Sequence, residues 1–333
     1  MSLRKTILLS LVGLAMVLLV GCGGSKKTEV TLALDWYPNA NHAGLYIAQE
    51  KGYFADENLD VKLYTPVDPS TVLQTVGAGS DDFGISYQPD LLLARAQGVP
   101  VVSVAAIVQH PLNVVMTLKE ANITRPKDLV GKKVGYPGIP LNESLLDTML
   151  KADGVKGIKD VELVNVGFDL VPALIGKKVD ACIGCYISHE TIMAQNEGYP
   201  VNVMRMQDWG VPDFYELVLV TSEDKLKKDP DVVQRLVRAM VRGYKDAKAN
   251  PQAAVDTLLH ANTANASEVD EKIERPGVNV LAPMWADNVP SFGWQTHDRW
   301  ANFADWMYKS GQLSKPVDPD AAFANKFVEA ASK

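Results

Sequence analysis

Cysteine is scarce in this chain. Only Cys22, Cys182 and Cys185 occur, which excludes a scaffold built from disulfides. The five histidines (His42, His110, His189, His260 and His297) are scattered, and no second pair joins the Cys182-x-x-Cys185 spacing, so no metal site is expected. The pair itself is left open between buried free thiols and a disulfide. There is no GxSxG, HExxH or GxGxxG, which removes the hydrolase elbow, the zincin helix and the dinucleotide fingerprint. No catalytic residue and no cofactor are therefore expected. Basic clusters are missing too: 33 Lys and Arg face 40 Asp and Glu, for a net charge of −7. Phosphate backbones need concentrated cations, so no nucleic acid is expected as partner.

A long apolar run occurs once, Ile7 to Val20, preceded by Arg4 and Lys5 and followed by Gly21-Cys22. It is shorter than the roughly 20 residues that a bilayer core requires. The pattern resembles a bacterial lipoprotein signal, which implies a signal peptide over 1–21, cleavage before Cys22 and acylation of that cysteine. Residues 22–29 then read as a flexible tether. The expected location is the extracytoplasmic face of the cell membrane, at the periplasm or cell surface, with the membrane contacted through the lipid on Cys22.

Beyond the tether, strands and helices alternate, which predicts an α/β fold with mostly parallel sheets covered by helices. Strands are expected at 29–35, 59–64, 81–86 and 99–108, and helices at 42–51, 70–77 and 89–97. Two extended apolar runs, Leu112–Leu118 and Phe214–Thr221, bracket an α/β insert and read as paired hinge strands. One lobe is accordingly expected at 30–115 plus 216–333 and the other at 116–215, with the chain acting as a monomer. Arg235, Arg238, Arg242 and Lys245 share one face of a C-terminal helix and read as a solvated stripe.

Four strand-to-helix loops would meet at a cleft between such lobes. The first offers Asp35, Trp36, Asn39 and His42, an acceptor beside a large flat apolar face, which suits a nitrogen-rich ring. The second holds Ser86 and Tyr87. The third, with Pro137 and Gly138, allows close backbone approach but lacks the Lys and Ser or Thr of a phosphate loop. The fourth runs from Ile183 to Glu190; on a nascent helix Tyr186 and Glu190 would share a face and present a ring beside a carboxylate. Glu190 also reads as a first-turn acid favoured by the helix dipole.

The run Leu34 to Tyr46, with Lys51-Gly52-Tyr53-Phe54, Gly135-Tyr136-Pro137-Gly138, Val166 to Leu174, and Lys178-Val179-Asp180-Ala181, resembles the ThiY-type members of a larger family. That family contains the pyrimidine-precursor binding proteins and pyrimidine synthases of thiamine biosynthesis. The resemblance implies a type II periplasmic-binding-protein fold, two α/β lobes joined by two hinge strands with the ligand cleft between them. It also implies a substrate-binding protein that delivers a formylaminomethyl- or hydroxymethyl-aminopyrimidine to an ABC permease for salvage. Trp36 and Tyr186 match the family's stacking residues and Glu190 its carboxylate ligand. Around Cys185, Ile187, Ser188 and His189 the chain departs from the importer pattern. Ile85 and Pro89 stand where the synthases carry the lysine and histidine used with pyridoxal phosphate, and Glu216 to Val220 where they carry cysteines, so synthesis is disfavoured. Riboflavin, nitrate or an alkanesulfonate remain alternative ligands; an anion would want a cation such as Arg95 at the cleft.

Overall fold

The structure, a computed structural model, describes residues 26–167, 169–261 and 269–331. The signal peptide expected over 1–21, Cys22 as the expected lipid site, and Phe168 of the Val166–Leu174 run lie outside the described residues. Among the described residues, ten strands form two five-stranded sheets. The first takes β1 (Thr28–Ala33), β2 (Leu59–Tyr64), β3 (Phe83–Ser86) and β4 (Val101–Val108). The second takes β5 (Asn113–Leu118), β6 (Lys133–Tyr136), β7 (Glu162–Asn165), β8 (Ala181–Tyr186) and β9 (Val201–Arg205). Then β10 (Leu217–Ser222) returns to the first sheet, giving the orders β2-β1-β3-β10-β4 and β7-β6-β8-β5-β9.

The two sheets repeat one plan. Three parallel strands lie side by side, with the second strand of the set outermost, and two further strands pair antiparallel beyond them. Every residue of β4 and of β10 is buried, as expected of continuous apolar runs. The chain leaves the first sheet through 109–112 and re-enters it through 206–216. Carboxyl ends of β1 and β3 from one sheet, and of β6 and β8 from the other, carry the four loops named above.

Two local expectations change, and one helix appears that the sequence reading did not include. The strand expected to end at Cys182 runs on through Tyr186, so Ile183, Gly184, Cys185 and Tyr186 belong to β8. Tyr186 therefore ends a strand while Glu190 opens the next helix, Glu190–Asn196, and the two do not share a helical face. A helix over Glu271–Met284 forms despite Pro276 and Pro283 inside it. Pro276 has no N–H for the carbonyl of Lys272, and Asn196 Nδ2 donates to that carbonyl at 3.0 Å instead. Finally, the basic stripe is not merely solvated. Arg238 makes a two-pronged pair with Glu57 (2.7 and 2.8 Å), Arg242 bonds Asp56 at 2.9 Å, and its guanidinium lies 3.9 Å from the Tyr53 ring centroid. These contacts dock the helix Pro230–Ala249 onto the helix Tyr53–Asp56.

Candidate functional site

The first cluster is built from loops that follow β1 and β3. Asp35 is buried, and both of its oxygens are occupied. His42 Nε2 lies 2.8 Å from Oδ1, and the Tyr87 hydroxyl donates to Oδ2 at 2.7 Å. The Asn39 N–H donates to His42 Nδ1 at 3.3 Å, so in the neutral ring the proton sits on Nε2, facing Asp35. Asn39 also caps the turn Ala40–His42, its Oδ1 accepting from Asn41 N at 2.9 Å. Asn39 thus shapes the loop that holds His42 in place. Ser86 is buried at the end of β3, opposite Val218. Trp36 is 39 % exposed and meets Tyr37 edge-on at 6.0 Å between centroids, a large ring left at the rim.

The second cluster belongs to the other sheet, except for one residue. The Tyr186 hydroxyl donates to Glu216 Oε1 at 2.7 Å. Glu216 Oε2 accepts from the backbone of Leu112 at 2.7 Å and of Asn113 at 3.4 Å. Glu216 lies just before β10 and its own N–H donates to Val108, so it ties both crossing segments to a side chain of the second sheet. Glu190 takes the Tyr186 N–H on Oε2 at 2.7 Å and the His189 ring on Oε1 at 2.8 Å. Pro137 packs against β8 at Gly184, whose φ is +101°; a Cβ there would come within 2.9 Å of Pro137 Cδ. Gly138, with φ +80°, leaves equally little room, since its Cβ would lie 2.6 Å from Asn165 Nδ2.

Electrostatics join the clusters. Burial pushes the Glu216 carboxyl up to about 7, against bonds from Tyr186, Leu112 and Asn113 that pull it down, and Asp35 adds to the rise. Burial likewise carries the Tyr186 hydroxyl well above its ordinary value, with further rises from Glu216, Tyr87 and Asp35. Tyr87 is raised by burial first, then by Asp35 and Glu216. Asp35, Tyr87, Tyr186 and Glu216 are therefore close enough to sense one another across the lobe boundary.

Sequence reasoning did not single out Glu216 as a site residue, although it is the one charge in the apolar run Phe214–Thr221. Glu274 was missed as well, because its helix contains two prolines. Its carboxylate is buried and accepts from Ala40 N at 2.6 Å, and burial raises its pKa. The same helix touches the other lobe: a Cβ on Gly277 would lie 2.5 Å from the Ser188 carbonyl. Arg95 is occupied elsewhere, donating to the Val101 carbonyl at 2.6 Å and to Glu223 at 3.1 Å. A separate open groove of about 930 Å³ between the helices Pro140–Ala152 and His297–Lys309 shares no residue with these clusters.

Comparison with known proteins fits this geometry. The family described as NMT1/THI5 like matches residues 39–254. The formylaminopyrimidine-binding protein of Halalkalibacterium halodurans is 37 % identical over 319 residues, covering 94 % of this chain and 96 % of that protein. The riboflavin-binding protein RibY of Chloroflexus aurantiacus is 30 % identical, covering 91 % of this chain and 87 % of its own. Among solved structures, the periplasmic aliphatic sulphonate binding protein SsuA of Escherichia coli superposes with a TM-score of 0.71 at 15 % identity, covering 89 % of this chain and 92 % of that one. The fold is thus that of the SsuA-type periplasmic binding proteins.

Proposed function

The chain belongs to the NMT1/THI5-like family, and on that premise we propose that it is an extracytoplasmic binding protein for a thiamine-related aminopyrimidine. It would hand this ligand to an ABC permease for salvage, tethered to the membrane through lipid on Cys22. The observation that supports the ligand class is the pair of buried tyrosine–carboxylate clasps, Tyr87–Asp35 and Tyr186–Glu216, whose groups influence one another electrostatically. Such a site supplies aromatic faces, and Glu190 beside it an acceptor, which together suit a flat ring with an amino group. In this reading Trp36 and Tyr186 stack on the ring, and Ser86, Asn39, His42, Pro137 and Gly138 shape the walls. Glu190 accepts from the amino group: its Oε2 stays on the Tyr186 backbone, while Oε1 exchanges the His189 ring for the ligand.

A sulfonate or nitrate is disfavoured, because Arg95 is already committed to Glu223 and the Val101 carbonyl. Synthesis is disfavoured because Ile85, at the position of the synthases' lysine, is a fully buried aliphatic residue of β3 and offers no amine for a Schiff base. Binding rather than catalysis is the consistent role. Calorimetric titration of the purified chain with formylaminomethyl-aminopyrimidine is the deciding experiment: saturable heat with one site per chain is expected, and its absence together with no thermal shift would remove the ligand assignment. Riboflavin, titrated in parallel, is expected to bind more weakly or not at all. Changing Cys22 to Ser should move the protein from the membrane fraction to the soluble one; retention in the membrane would overturn the lipid anchor.

A further inference from the structure

We propose that Cys182 and Cys185 form a disulfide, closed by exchange with a donor disulfide while β8 folds. This reading goes beyond ligand binding and does not depend on it. In a regular strand, residues three apart point to opposite faces. Here the pairing of β8 with β5 slips by one: Cys185 lies opposite Val114, Ile183 opposite Val115 and Cys182 opposite Met116. Gly184 is the extra residue, held at φ +101°. The bulge turns both cysteines to one face, where they join Val114 and Met116 in the same apolar cluster. Both are fully buried and unbonded in the structure, with sulfurs in direct contact at 2.7 Å.

The bulge is fixed from several sides. Gly184 N–H donates to Asn113 Oδ1 at 3.0 Å, Asn113 Nδ2 donates to Asn142 at 2.9 Å, and Pro137 fills the space a side chain at 184 would need. The sheet itself therefore brings the sulfurs together. In the exchange, one cysteine thiolate attacks a sulfur of the donor and releases the first donor thiol. The second thiolate then attacks the mixed disulfide and expels the other donor thiol. The cysteines give up two electrons and two protons, and the donor, a protein or small-molecule disulfide, takes both. Because neither sulfur is accessible in the folded chain, the exchange precedes the packing of β8. The bond pins the bulge from which Tyr186 extends.

The test refolds the full chain in a mixture of reduced and oxidised glutathione, quenches with acid, alkylates with iodoacetamide and digests with trypsin. Cleavage after Lys178 and Arg205 isolates both cysteines in one peptide, separate from Cys22. The expected peptide is unalkylated, two hydrogens lighter than the dithiol, and takes two alkyl groups only after reduction. Two alkyl groups without reductant, or glutathione attached to either cysteine, would overturn the proposal. The exchange equilibrium with glutathione, reached through refolding, is then compared between the full chain and the isolated 179–205 peptide. The folded chain should favour the disulfide at least about tenfold more; equal constants would overturn the claim that the sheet places the sulfurs.

Discussion

Tyr87 and Tyr186 stand at matching places in the two sheets, one just after β3 and the other at the end of β8, each the strand lying between the first parallel strand and its antiparallel neighbour. Each hydroxyl rests on a buried carboxylate at 2.7 Å. The sources of the carboxylates differ. Asp35 comes from the loop after β1 in Tyr87's own sheet, whereas the corresponding loop of the second sheet, Pro137-Gly138, offers no acid. Tyr186 instead takes Glu216 from the segment re-entering the first sheet. One clasp thus lies within a lobe and the other joins two lobes; in the proposed reading the second is where ligand capture and lobe arrangement would be coupled.

Removing the joining acid should therefore have the largest effect. Glu216→Ala orphans the Leu112 and Asn113 N–H groups and the Tyr186 hydroxyl, at about 1–3 kcal/mol for each buried donor left unpaired. A fall in the urea midpoint and a loss of aminopyrimidine affinity of about 10–100-fold are expected; an unchanged midpoint would erase the distinction between the clasps. Next comes Glu190→Gln, which keeps an acceptor for the Tyr186 N–H and removes the charge. Calorimetry should register about a tenfold weaker affinity with the melting temperature preserved. Equal affinity would assign Glu190 to loop structure alone.

A smaller contrast is expected between Tyr186→Phe and Tyr87→Phe. The former releases a bond that crosses the lobes and should weaken binding several-fold. The latter leaves Asp35 paired with His42 within one lobe and should weaken binding less. Identical losses would mean the two clasps are equivalent. The mildest signature is in pH. Glu216 is raised from 4.5 to about 7 and Asp90 from 3.8 to about 6, both chiefly by burial, and Glu274 is raised in the same direction. These three groups then hold more protons in the folded chain than in the unfolded chain between about pH 4 and 7, so they favour folding at low pH and lose that contribution as pH rises through the window. Glu216→Gln should flatten the decline between pH 4.5 and 7 in thermal melts; a slope as steep as the parent's would locate the effect in Asp90 and Glu274.

Much of this was written locally. Alternation of apolar and polar residues specified the strand 59–64 to the residue and placed the strand expected at 99–108 within two residues of its start at Val101, because burial of one face is a property of spacing. Asp35, Trp36 and Tyr87 sit where strands give way to loops, which turn chemistry makes readable, whereas Tyr186, read as part of a loop, is the last residue of β8.

Other features were decided only when distant segments met. Neither the length of β8 nor the shared face of Cys182 and Cys185 follows from their own residues, since a bulge exists only against a partner strand. The helix Glu271–Met284 runs against proline's local preference and draws a replacement bond from Asn196, about eighty positions earlier in the chain. Glu216 reads in sequence as one acid in an apolar strand; what makes it a clasp is that Leu112, Asn113 and Tyr186 converge on it from elsewhere. The sequence by itself determined which segments become strands and helices and where the rings and acids are offered, since those depend on neighbours a few residues away. The tertiary structure alone decided which acid serves which ring, because a buried carboxylate takes the donors that packing delivers to it.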